Sequence, residues 1–166
     1  MLIESRFSGN WRQPLLPSPD RSNKSIQEIL FDALAAFKIF TSQVAMHLNI
    51  ESRDKLFKQL DLLLDPDEWP PEDIPPELAS YRTLLRTLLV LAPRKLPGLG
   101  AGSGGRLVAA WSTRDDRLTI QCLPSDRLRW SLSVKDGPER RAAAAESSLK
   151  HLIPEIAPYG PERWFS

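Results

Sequence analysis

The chain has 166 residues, enough for one domain with a buried core, and its 42% hydrophobic and 26% charged residues are those of an ordinary globular protein. Twenty-two Lys and Arg against 21 Asp and Glu leave no global field to draw the chain to nucleic acid or to an anionic membrane, and no segment stands out in charge. A single cysteine excludes an internal disulfide, Glu4 and Arg6 interrupt the N-terminus before any apolar run, and the apolar window Leu84 to Ala92 is far short of the about 20 residues a bilayer span requires, so the expectation is a cytoplasmic protein.

Residues 1–24 carry Gly9, Pro14, Pro17 and Pro19 without any period and read as an extended arm that Trp11, Leu15 and Leu16 would dock on the body. A helical part spans 25–92. It opens with Ser25-Ile-Gln-Glu28, a capping box in which the serine oxygen accepts from a backbone N–H and the glutamate reaches back. Ile26, Leu30, Ala33, Phe37, Phe40, Val44 and Leu48 then recur at intervals of three and four, the stripe of one helix or of two broken near Thr41-Ser42. Asn49 is placed to end a helix and Ser52 to cap the next, which buries Leu56, Leu60 and Leu63.

Five prolines between Asp65 and Pro76 forbid a helix or central strand and predict an extended connection. Pro76 then sits at the start of a helix running to about Ala92, with Leu78, Tyr81, Leu85 and Leu88 inward and Pro93 as its stop. Residues 93–105 hold five glycines and read as a flexible loop.

The clearest pattern lies in the last part, 106–166. Three runs between Gly105 and Val134 alternate apolar and polar residues, and alternation puts like side chains on one face of a strand. Leu107, Ala109 and Trp111 share a face on the first run, Leu118, Ile120 and Cys122 on the second, and Leu128, Trp130, Leu132 and Val134 on the third. The breaks between them are short, which predicts a three-stranded antiparallel meander over about 106–134. A C-terminal helix over about 138–157 follows, with Pro138 near its start and Pro154 ending or kinking it. The fold class expected is α+β in a single domain spanning 1–166, with helices packed on the sheet's apolar face.

Candidate chemistry is sparse. The glycines from Gly98 to Gly105 stand between a helix and a strand, the reverse of the strand-to-helix order that cradles a phosphate. Asp65, Asp67, Glu68, Glu72 and Asp73 lack the spacing of a calcium loop. Cys122, His47 and His151 share no zinc or nucleophile spacing. No catalytic, cofactor-binding or metal-binding residue is named on this basis.

Two stretches resemble known patterns. Thr41 to Leu64 resembles a helix-turn-helix DNA reader, with Ala45 at the small packing position, Asn49 at the left-handed turn position and Ile50 just after it. The resemblance implies that a helix beginning near Ser52 would present Arg53, Lys55 and Lys58 to the major groove, although Lys55 stands where the family expects an aliphatic residue. Glu68-Trp69-Pro70, Leu84 to Pro93, Ala109-Ala110-Trp111, Leu118-Thr119-Ile120 and Leu128 to Trp130 together resemble a group of small uncharacterised bacterial proteins. That resemblance implies an α+β architecture and no activity. The functional expectation is a non-enzymatic protein-interaction or assembly module. It would use the edge of the third strand, with Arg127, Arg129, Ser131 and Ser133 as its polar row, or the apolar surface beside that edge, to meet a second copy or another protein. A DNA-binding regulator using residues 41–64 is the second expectation, and an enzyme without a recognisable motif the third.

Overall fold

The computed structural model describes residues 24–166, so the expected N-terminal arm lies outside the described residues apart from Lys24. Ser25 caps the first helix, α1 (Ile26–Gln43): its side chain accepts from the Glu28 N–H while Glu28 accepts from the Ser25 N–H. The apolar stripe breaks where α1 ends, and a single 3-10 turn at Ala45–His47 leads to α2 (Ile50–Leu63). Asn49, not Ser52, caps α2, its side-chain oxygen taking the Ser52 N–H at 2.7 Å. The proline-rich connection contains only a 3-10 turn at Pro66–Glu68. It is pinned by Trp69, whose indole N–H donates to the Leu63 carbonyl at 2.7 Å. Helix α3 (Leu78–Leu91) ends at Ala92 in the left-handed region (φ 43°), and Pro93 prevents continuation.

The sheet has five strands rather than three, paired antiparallel in chain order: β1 (Gly98–Ala101), β2 (Leu107–Ser112), β3 (Arg117–Leu123), β4 (Arg127–Asp136) and β5 (Glu139–Ser148). The faces that alternation implies for the three central strands are the ones found, and the pairing sets them in one buried layer. Leu107 lies opposite Cys122, Trp111 opposite Leu118, and Ile120 opposite Trp130, all buried on one face. Helix α3 packs on this face against β2 and β3, α2 packs against β1, and α1 lies over α2 and α3. Each fully buried leucine there is worth about 1.5–3 kcal/mol relative to exposure.

Two stretches depart from expectation. Part of the glycine-rich loop is the strand β1, because Gly98 to Ala101 extend along β2 in four-residue register and leave only a 3-10 turn at Ser103–Gly105. Glycine is needed at 105, where φ is +74° and a Cβ would stand 2.9 Å from the Pro75 carbonyl.

The second departure is larger. The expected helix over 138–157 is a strand for its first half: Glu139–Ser148 forms β5, and only Leu149–Ile156 is helical (α4). Alanine's helix preference is weak, a few tenths of a kcal/mol per residue over most others, and a ladder of paired residues outweighs it. The turn Gly137-Pro138, with Gly137 at φ +61°, returns the chain at once, and ten residues of β5 then oppose ten of β4. Consequently the third run is an interior strand, and the sheet edge expected there belongs to β5.

A 3-10 turn at Ala157–Tyr159 and the short α5 (Glu162–Phe165) close the inner face. Trp130, 6% exposed, donates its indole N–H to Glu155 Oε2 of α4 at 3.1 Å. Trp111, 4% exposed, donates to the Lys95 carbonyl and meets Phe165 edge-on with ring centroids 5.2 Å apart.

Candidate functional site

The two edges of the sheet differ in kind. β1 is four residues long, and α2 lies against it, with the Gln59 side-chain oxygen accepting from the Leu99 N–H at 3.0 Å. A side chain therefore occupies part of that ladder. β5 is ten residues long and carries no proline; from Glu139 to Glu146 every residue is exposed except Ala143, which is half-buried. No strand lies beyond it among the described residues. Its middle, Ala142 to Ala145, has the smallest side chains a strand can offer short of glycine, flanked by Arg140-Arg141 before and Glu146 after.

The four residues expected to form an interface row sit on the outer face of β4, but they brace β5 rather than an edge. Arg129 Nε holds Glu146 Oε2 at 2.9 Å, and Arg127 holds the other oxygen. Hydrogen bonds from the two guanidiniums, Arg129 first, keep the Glu146 carboxyl below the usual carboxylate range. Ser133 Oγ accepts from Arg140 Nη1 at 2.8 Å, and Ser131 is exposed between them. With Val108, Thr119, Gln121 and Ala144, Arg129, Ser131 and Glu146 line a shallow trough of about 530 Å³ on the outer sheet face, alongside β5.

The helix-turn-helix expectation meets a different geometry. Asn49 has φ −70° and ψ 156°, an extended N-cap and not a left-handed turn residue. Ile50 is 70% exposed and Met46 86% exposed, so the turn is not packed between two helices in the way the motif implies. Of the three expected phosphate contacts, Arg53 is half-buried with its Nε enclosed and an Nη bonded to Asp54 at 3.4 Å. Lys55 is exposed and holds Glu51 at 2.6 Å, and Lys58 is exposed without an acidic partner among the described residues.

The remaining candidates are dispersed. Cys122 is buried, and burial pushes its thiol up to about 12, far from the thiolate needed for nucleophilic work. His151 Nδ1 shares a hydrogen bond with Ser148 Oγ at 2.8 Å, and His47 lines a separate depression with Leu88 and Pro93. Among the described residues, no three His, Cys, Asp or Glu side chains converge as a metal site would require. Among them, too, no helix is long and apolar enough to cross a membrane.

Sequence reasoning missed β5 as the exposed edge and Gln59 as the guard of the other edge. The available signal for β5 was Asp136-Gly137-Pro138-Glu139, a compact turn directly after an alternating strand; for Gln59 there was none. No family model matches the chain, and neither does any curated protein or solved structure.

Proposed function

We propose that this chain is a cytoplasmic assembly module that pairs with a second copy of itself through β5. The observation that carries the reading is the contrast between the two sheet edges: one is short and guarded by Gln59, the other long, regular and open. An open edge presents a row of backbone donors and acceptors that another strand can satisfy, and natural proteins usually blunt or cover such edges. β5 lacks a proline, and its central side chains are too small to hold a neighbour away.

Charge order selects the occupant. A two-fold axis perpendicular to the sheet through Ala143 sets Ala143 opposite its own copy and Ala142 opposite Ala144. On the outer face it sets Arg140 opposite the partner's Glu146. Among the described residues Arg140 donates to the Asp115 carbonyl and Ser133 Oγ, and its charge acts on the nearby Asp116 carboxylate, so the partner's Glu146 adds a second counter-charge to the one it already has. Opposite charges directly across an antiparallel pair favour that pairing, and symmetry provides two such pairs. The result joins two five-stranded sheets into one.

The test is a register-specific cross-link. Ala143→Cys should form an intermolecular disulfide under mild oxidation, whereas Ala144→Cys, off the axis, should not; Cys122 is buried and stays silent. Light scattering at micromolar concentration should give a dimer mass, and Arg140→Glu should lower it. A strictly monomeric mass, or equal cross-linking at the two positions, overturns the reading.

A further inference from the structure

We infer that the cleft between α2 and the connection from α3 to β1 binds a phosphate-bearing anion. Lys55 and Lys58 of α2 line one wall and Arg94 and Lys95 of the connection line the other, around a space of about 450 Å³. All four side chains are exposed at the cleft. Glu51 is the one carboxylate in the lining. It is already held by Lys55 at 2.6 Å, and that hydrogen bond keeps its carboxyl below the ordinary range. Lys58, Arg94 and Lys95 have no acidic partner among the described residues.

The walls are fixed relative to one another. The Arg94 N–H donates to the Phe165 carbonyl at 2.9 Å, and the Lys95 carbonyl accepts from the Trp111 indole at 3.1 Å. On the opposite side Gln59, itself in the lining, is bonded to Leu99 of β1 at 3.0 Å. The backbone on both sides of the basic connection is therefore anchored, and its two cations are not carried on a free loop.

Four cations against one carboxylate repel one another unless an anion enters, and a cleft focuses their field more than a flat surface does. Lysine ammonium groups act as point charges for phosphate, and an arginine fork grips two of its oxygens. The first turn of α2, represented in the lining by Asn49 and Ser52, adds the positive end of a fourteen-residue helix to the same space. The volume suits one or two phosphate groups with a small attached body. The shared chemistry is phosphate, whether from a small phosphate ester or from the backbone of a nucleic acid.

Pyrophosphate and a labelled single-stranded oligonucleotide at low salt are the probes. Lys58→Glu and Arg94→Glu should each weaken pyrophosphate binding about tenfold. Glu51→Gln should tighten it, an effect that mere damage to the fold would not produce. Lys150→Glu, on α4 and absent from the cleft, should leave it unchanged. Oligonucleotide binding that pyrophosphate displaces, and whose salt dependence becomes shallower by about one counterion in Lys58→Glu, assigns the backbone source. Pyrophosphate binding alone assigns a small ester. Overlapping circular dichroism spectra of the variants keep folding out of the comparison. Binding of neither probe at millimolar concentration, or binding indifferent to Lys58 and Arg94, overturns the inference.

Discussion

Ser80 shows how much one buried hydroxyl can do when both ends of it are used. It sits on α3 facing the sheet, fully buried, and its Oγ donates to the Cys122 carbonyl at 2.7 Å while accepting from the Leu107 N–H at 2.8 Å. Leu107 and Cys122 are opposite each other at the end of the β2–β3 pair, so one side chain stitches the helix to both strands. Ser80→Ala leaves a buried donor and a buried acceptor without that partner. The expected cost is about 1–3 kcal/mol, read as a lower urea midpoint with an unchanged slope. A change within about 0.5 kcal/mol would mean that the two backbone groups find other partners. Tyr81, next in the chain, is treated differently. It stacks on Phe37 with centroids 4.4 Å apart and hydrogen-bonds Thr41, and burial pushes its phenol up to about 12. Adjacent residues thus serve two interfaces, Ser80 the sheet and Tyr81 the outer helix α1.

At the level of elements, the β4–β5 hairpin is where local preference and tertiary pairing oppose each other most directly. The run Arg140 to Glu146 is a good helix by propensity, and Pro138 suits a helical first position. What makes it a strand is the two-residue turn and the paired length behind it, reinforced on the outer face by Arg127 and Arg129 on Glu146. Gly137 is the hinge of that choice. A Cβ there meets nothing within 4 Å, so Gly137→Ala tests backbone strain alone, at φ +61°. The expected loss is about 1–2 kcal/mol in a thermal melt, because a left-handed L-residue pays that much. Helical circular dichroism should stay at its original level. A rise in helix content would mean that Glu139–Ser148 takes its local preference once the turn is weakened.

For the molecule as a whole, Asp116 gathers the far corner. It lies in the β2–β3 turn, 15% exposed, and accepts from the Lys135 N–H of β4 at 2.7 Å and from Arg163 of α5 at 2.9 Å. Those contacts, the backbone hydrogen bond first, hold its carboxyl below the usual range near 3.8. A carboxylate with a depressed folded value stabilises the fold above its unfolded value, and that contribution disappears as the pH falls through the folded one. Asp116→Asn should therefore melt below the parent at neutral pH, with the gap closing as the pH drops below about 4. A gap that persists unchanged at low pH would show that Asp116 acts there through shape and not charge. The same corner holds Trp111 beneath Phe165, so loosening it should also raise the exposure of that tryptophan in fluorescence.

The sequence by itself determined the inner face of the sheet and the start of the first helix. Alternation in Leu107 to Val134 has a period of two that survives any packing partner, because a one-residue slip would turn every apolar side chain outward. The capping box at Ser25 and Glu28 is equally local, a matter of four residues. Only the tertiary structure decided the rest. Gly98 to Ala101 has almost no side chains to carry a period and becomes a strand because β2 offers it a ladder. Glu139 to Ser148 becomes a strand because the turn at Gly137-Pro138 returns it alongside β4, where ten residues pair with ten. The basic cleft was invisible in a near-neutral composition, since Lys55 and Lys58 stand far in the chain from Arg94 and Lys95, and folding sets these two pairs facing one another. Patterns carried by one element can be read from its own residues, whereas an edge or a cleft exists only between elements, where pairing and long-range packing choose among local conformations of nearly equal energy.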